Sequence, residues 1–164
     1  RDAMGIAAGL NEYSRQSDMV FMANYAQTVN VIGCIKTNTT SSILDATGQV
    51  LKLYRQQFGT IPVAVSGETR PVDIAATLDS EGQTVTISVV NATRDKVKIP
   101  VTLLNGTVTG EGELWQVTAP DIMATNEPGR PENVKITGPA SVPSVGELTV
   151  GPASINLFVF KLKN

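Results

Sequence analysis

The sequence predicts a mainly β protein, an antiparallel β-sandwich preceded by a shorter α/β segment, and three observations carry that prediction. From residue 61 onward, apolar residues recur at every second position in short runs broken by Gly, Pro and Asn, the period of strands with one buried face. Before residue 60 the spacing changes to three and four, with one short continuous apolar run between two helical stretches. Over 164 residues, 41% are hydrophobic and 17% charged, enough for a packed core. That length excludes a complete (β/α)8 barrel, which takes about 250 residues. The seam falls at Phe58-Gly59-Thr60-Ile61-Pro62, where Gly can cap the preceding helix and Pro prevents its continuation, giving parts 1–60 and 61–164.

In the first part, 2–13 is rich in Ala, Met, Ile and Leu on more than one side, as in a helix held between layers. Met19-Val20-Phe21-Met22-Ala23 reads as a parallel strand covered on both faces. Residues 37–42 form a polar loop whose Ser and Thr can cap the next helix. Ile43, Ala46, Val50, Tyr54 and Phe58 then make one apolar stripe on a helix to Phe58. The order helix, strand, helix is that of one slice of an α/β barrel or of a doubly wound sheet. In the second part, Val72 to Leu78, Val85 to Val89 and Val97 to Leu103 alternate, with a hairpin turn at Asp79-Ser80-Glu81-Gly82. Further strands are expected at 113–119, 133–137, 147–150 and 155–162, which together make an antiparallel sandwich.

Composition removes whole classes of chemistry. There is no His, which excludes Ser-His-Asp and Cys-His catalysis and the common zinc sites, and no cofactor or metal is expected. Thirteen Lys and Arg against 15 Asp and Glu leave a net charge of −2 with no basic block, so no nucleic-acid partner is expected. No apolar run approaches the ~20 residues of a membrane span, and no signal peptide is recognisable. The chain opens on Arg1, as a piece cut from a longer protein would. Cys34 is the single cysteine, with no internal partner, and reads as a buried inert thiol.

What remains is carboxylate or hydroxyl chemistry, or binding. Glu111 and Glu113 fall on one face of a strand, but beside glycines they read as a solvated edge. Asp121, Glu127 and Glu132 flank a Pro-rich loop in which Pro128-Gly129-Arg130-Pro131 is a rigid turn. Gly5 and Gly9 form no phosphate loop. Trp115, the single Trp, is placed either to stack on a sugar or to join the core. Sequons stand at Asn38, Asn91 and Asn105. The informative stretch is Met22 to Ile32, MANYAQTVNVI. Its amides Asn24, Gln27 and Asn30 either face the mouth of a site, where an amide both donates to and accepts from hydroxyls, or satisfy backbone groups in an irregular turn.

MANYAQTVNVI resembles the MAN-x-AQ-x-VNV segment of the α-L-arabinofuranosidases of glycoside hydrolase family 51, and the resemblance continues in order. RDAMGIAAGLNEYSRQSD is similar to the helix and approach before the final barrel strand, and TGQVLKLYRQQFG to the closing barrel helix. VDIAATLDSEGQTVTISVVNATRDKVKIPVTL, ATNEPGRPENVKI and LTVGPASINLFVFKL are similar to the C-terminal β-sandwich. The resemblance implies a jelly-roll-like sandwich preceded by the α/β remnant of a (β/α)8 barrel, from a secreted or periplasmic retaining enzyme that removes terminal arabinofuranose from arabinan and arabinoxylan. It places both catalytic glutamates on earlier barrel strands, outside this chain, so no catalytic residue is assigned here. One site residue carries over, Gln27, which matches the family's sugar-contacting glutamine; Asn30 is assigned to ordering the turn. The competing reading is a self-standing carbohydrate-binding or adhesion sandwich. On the first reading the partners are the rest of the parent barrel or a second copy of the chain, and the helical part either folds back on the sandwich or meets that copy, because an isolated barrel slice leaves unpaired edges and apolar surface.

Overall fold

The computed structural model describes residues 1–163. Helix α1 (Asp2–Arg15) is followed by a hairpin of β1 (Ile35–Thr37) and β2 (Ser42–Leu44), then helix α2 (Ala46–Gln57). Strands β3 (Ile61–Val63), β4 (Asp73–Leu78), β5 (Thr84–Asn91), β6 (Val97–Pro100), β7 (Gly112–Thr118), β8 (Lys135–Val142), β9 (Glu147–Val150) and β10 (Ser154–Lys161) complete the chain.

The main sheet is antiparallel, with strand order β3-β4-β5-β10-β7-β8, and β6 pairs with β9 in a separate ribbon. β5 lies inside the sheet and is covered on both faces, so its alternation divides two cores. Val85, Ile87 and Val89 join Phe158, Phe160, Leu148 and Val150 on the ribbon side, whereas Val90 joins Ile155, Leu157, Val117 and the helices on the other. The chain is therefore the expected mainly β antiparallel sandwich, with α1 and α2 laid on the outer face of its larger sheet. The Asp79–Gly82 turn forms as anticipated: the Asp79 carboxylate accepts from the Gln83 and Thr84 amides at 2.8 and 3.2 Å, and Gly82 takes a φ of +68°.

In the N-terminal part the structure departs from the pattern. α1 buries a single stripe, Ala3, Ala7 and Asn11, instead of being enclosed on several sides. The small Ala side chains let it lie close to α2 and the sheet. Met19 to Ala23 is not a strand; Met19 closes the turn after α1 and the rest is irregular and open, with Phe21 94% exposed. A parallel strand exists only through neighbouring strands that take its backbone hydrogen bonds. Among the described residues no strand pairs with it, and the Met19 and Val20 amides donate to the Gln16 carbonyl instead, at 2.9 and 2.8 Å. Residues 37–42 are not a capping loop but the turn of the β1–β2 hairpin, with Ile43 and Leu44 paired to Lys36 and Ile35. α2 consequently starts at Ala46, capped by Asp45, whose carboxylate accepts from the Ala46 amide at 2.8 Å.

α2 ends with Phe58 already extended, at ψ 131°, so Gly59 is not its cap. Gly59 instead permits a close approach: a Cβ there would collide with the Leu78 carbonyl on β4. The three-residue strand β3, which the Pro in Ile61-Pro62-Val63 concealed, follows at the edge of the sheet, where a missing N–H is tolerated.

Candidate functional site

Gln27 lies in the exposed stretch between α1 and β1, and the Ala26–Gln27 peptide is cis. Its side chain is exposed, while everything immediately after it is tied down. The Ile35 amide donates to the Thr28 carbonyl at 3.0 Å, the Asn30 amide to the Ile35 carbonyl at 2.8 Å, and Val29 forms a bridge with Ile35. Asn30, at φ 55°, uses both ends of its side chain on Thr37: Nδ2 donates to Thr37 Oγ1 at 2.9 Å and Oδ1 accepts from the Thr37 amide at 2.8 Å. Asn tolerates this left-handed conformation better than most residues. Gly33 sits inside the turn, where a Cβ would come within 2.8 Å of the Thr28, Val29 and Asn30 backbone. Asn30 is thus spent on the turn and Gln27 is free to face outward. Half-buried Cys34 belongs to the same knot, its Sγ 3.7 Å from the Thr28 carbonyl, which is less enclosed than the sequence led us to expect.

The segment that carries Gln27 also exposes large apolar side chains. Met19, Phe21, Met22, Val29, Val31 and Ile32 are all exposed. Such a concentration of large apolar side chains in one segment marks a surface that meets another protein surface or a ligand.

The β1–β2 hairpin that follows the segment is tied to the loop between β7 and β8. Asn126 in that loop is 3% exposed and fully satisfied. Its Nδ2 donates to the Leu44 carbonyl at 2.9 Å and the Val134 carbonyl at 2.7 Å, and its Oδ1 accepts from the Asn133 and Val134 amides at 3.0 and 2.8 Å. Glu132 accepts from Gln49 Nε2, on buried α2 surface, at 2.9 Å. Nothing in the sequence singled out Asn126, an isolated asparagine in a Pro-rich loop.

The other candidates are occupied locally. Glu111 accepts from Ser141 Oγ, Glu113 from Trp115 Nε1 at 3.2 Å, and Asp121 from the Met123 amide at 2.6 Å. Glu127 pairs with Arg130 at 3.2 Å across the turn in which Gly129 takes φ +80°. Trp115 packs half-buried against the helix-side core, with its indole against Gly138, the core placement of the two open to it. Among the described residues, no three His, Cys, Asp or Glu side chains gather as a metal site requires, and no helix is long and apolar enough to cross a membrane.

Residues 1–154 match the family described as "Alpha-L-arabinofuranosidase C-terminal domain". The chain belongs to that family. This arabinofuranosidase C-terminal domain is 32% identical over 149 residues to a probable alpha-L-arabinofuranosidase C of Aspergillus clavatus, an alignment covering 80% of the chain and 29% of that relative. An Aspergillus flavus protein of the same name is 30% identical over the same length. Among solved structures, the alpha-L-arabinofuranosidase of Thermotoga maritima, in its arabinose complex, superposes with a TM-score of 0.85 at 26% identity, covering 98% of this chain and 38% of that one. The domain thus spans about three tenths of the curated relatives it matches. Its helices and hairpin, as well as its sandwich, fall within the superposed portion, since 98% of the chain is covered.

Proposed function

We propose that this domain is the C-terminal portion of a retaining α-L-arabinofuranosidase acting on terminal arabinofuranosyl residues of arabinan and arabinoxylan, in which the sandwich braces the barrel and residues 1–60 close it. Retaining hydrolysis needs one carboxyl group as acid/base and a second as nucleophile, set about 5 Å apart. On this reading both are glutamates of the barrel segment outside the chain, and the domain has no catalytic residue of its own. Gln27 contributes a sugar contact, its amide donating to one hydroxyl or ring oxygen while accepting from another hydroxyl. The parent enzyme is secreted or periplasmic.

The observation that carries this reading is the segment 19–32, where six large apolar side chains stand exposed in the stretch that also exposes Gln27. Covered by neighbouring barrel strands, Met19 to Ala23 gains strand partners, and Gln27 comes to the end of a strand. The packing of Trp115 against the core supports this over a self-standing carbohydrate-binding or adhesion module, which presents its aromatics outward.

The test is steady-state kinetics of Gln27→Ala in the complete enzyme on an aryl arabinofuranoside. Loss of a neutral hydrogen bond of about 1.4 kcal/mol lowers kcat/KM about tenfold. Unchanged kcat/KM removes Gln27 from the site. Product anomer analysis by NMR should show α-arabinofuranose released first, and the β anomer would contradict retention.

A further inference from the structure

We propose that Asn126 is a positioning residue for Gln27, so that a loop of the sandwich, remote from the sugar in sequence, sets the place of the sugar-contacting amide. The proposal rests on the reading of Gln27 given above.

The connection is short and each link is a hydrogen bond or a peptide bond. Gln27 is followed by Thr28, whose carbonyl accepts from the Ile35 amide on β1. The Ile35 amide shares its peptide group with the Cys34 carbonyl, which accepts from the Asp45 amide at 2.8 Å, and that amide shares its peptide group with the Leu44 carbonyl at the end of β2. The Leu44 carbonyl is held by Asn126 Nδ2 at 2.9 Å. The other three contacts of that side chain, to Asn133 and Val134, close the loop on itself and fix the amide that reaches out. The hairpin it steers is otherwise slight. β1 and β2 are three residues each, a length at which an isolated ribbon is marginal in water. β2 runs directly into Asp45, the cap of α2, and the Asp45 amide donates to the Cys34 carbonyl at 2.8 Å, so the two strands move together with the Asn126 contact. The loop meets the hairpin turn again where Gly129 lies 3.5 Å from Ser41 Oγ, measured from the place of a Cβ. A glutamine on an exposed connection is held in place only as well as this hairpin is, and a displacement of an ångström is enough to weaken a sugar contact severely.

A residue that acts by placing Gln27 has a signature that a merely stabilising residue lacks. In the complete enzyme, Asn126→Ala should raise KM for an aryl arabinofuranoside about three- to tenfold with kcat nearly unchanged, the loss of one or two hydrogen bonds felt as binding. In the Gln27→Ala background the same substitution should change KM less than twofold, because the amide it places is gone. Equal effects of Asn126→Ala in both backgrounds would overturn the proposal while leaving the role of Gln27 intact. A Gln27→Ala enzyme with wild-type KM and kcat would instead overturn the reading beneath it. If Asn126→Ala yields no folded enzyme, hydrogen exchange of the wild type with and without arabinose decides. Slower exchange at the Asn133 and Val134 amides in the presence of arabinose supports the coupling, and unchanged exchange there overturns it.

Discussion

The Tyr54 hydroxyl on α2 lies 2.6 Å from Ser88 Oγ on β5, in the buried space between the helices and the sheet. The same hydroxyl donates toward α1, at 2.9 Å from Asn11 Oδ1 and 3.3 Å from the Ala7 carbonyl. One buried hydroxyl thus ties both helices to the sheet and fixes how the N-terminal part sits on the sandwich.

Tyr54→Phe should therefore lower stability by about 1–3 kcal/mol, since it leaves Asn11 and Ser88 buried and short of a partner. Chemical denaturation measures this. Burial pushes the Tyr54 phenol well above its ordinary value, outweighing its hydrogen bond to Ser88. Above about pH 10 the unfolded chain gives up that proton while the folded chain keeps it, so unfolding binds fewer protons and stability falls as pH rises. The contribution is complete below that pH. The difference between wild type and Tyr54→Phe should accordingly shrink from pH 9 upward, and a difference that stays constant to pH 11 contradicts this account.

Asn11 continues the network outward. Its Nδ2 donates to Asp73 Oδ1 at 2.6 Å, and Asp73 in turn pairs with Arg15 at 2.9 Å. Asp73→Ala strands the fully buried Asn11 amide and should cost about 2 kcal/mol. Arg15→Ala removes partly exposed ion pairs and one exposed hydrogen bond to the Ile74 carbonyl, and should cost less, about 1 kcal/mol. The order of the two midpoints in urea is the check, and the reverse order would refute it.

Glycines divide by what surrounds them. Gly59→Ala drives a Cβ into the Leu78 carbonyl and should destabilise by about 1–3 kcal/mol, because backbone and not a flexible side chain must yield. Gly9→Ala on α1 meets nothing within 4 Å and should stabilise the helix by roughly 0.5–1 kcal/mol. Thermal unfolding of the pair shows opposite shifts.

What the sequence disclosed follows the same physics. β4, β5, β7, β9 and β10 were legible because each meets a core on a face that alternation records, as Val85, Ile87 and Val89 do. The Met19 to Ala23 run was legible as apolar but misleading as a strand, because pairing is a property of neighbours and not of the run itself. The β1–β2 hairpin was invisible: Thr37 to Ser42 is polar throughout and its register depends on Asn30 and Asn126, residues distant in sequence or without a pattern. Gln27 is singled out only by the resemblance of MANYAQTVNVI, since an exposed amide carries no periodic signal.

The sequons are separated by burial. Asn91 is fully buried and donates from Nδ2 to the Asp95 and Gly151 carbonyls at 2.8 and 2.7 Å, so a glycan there is incompatible with the fold. Asn105 is exposed. Protein secreted in folded form from a eukaryotic host should carry glycan at Asn105 and none at Asn91; peptide mapping by mass spectrometry reads both, and an occupied Asn91 in folded protein contradicts the structure.

The most direct test is reconstitution. The barrel segment of the parent enzyme and this chain are produced separately, then assayed alone and mixed on an aryl arabinofuranoside. The account predicts no turnover from either piece and activity from the two together, accompanied by loss of hydrophobic-dye binding as Met19 to Ile32 becomes covered. Turnover by this chain alone, abolished by substituting one of its own carboxylates, would contradict it.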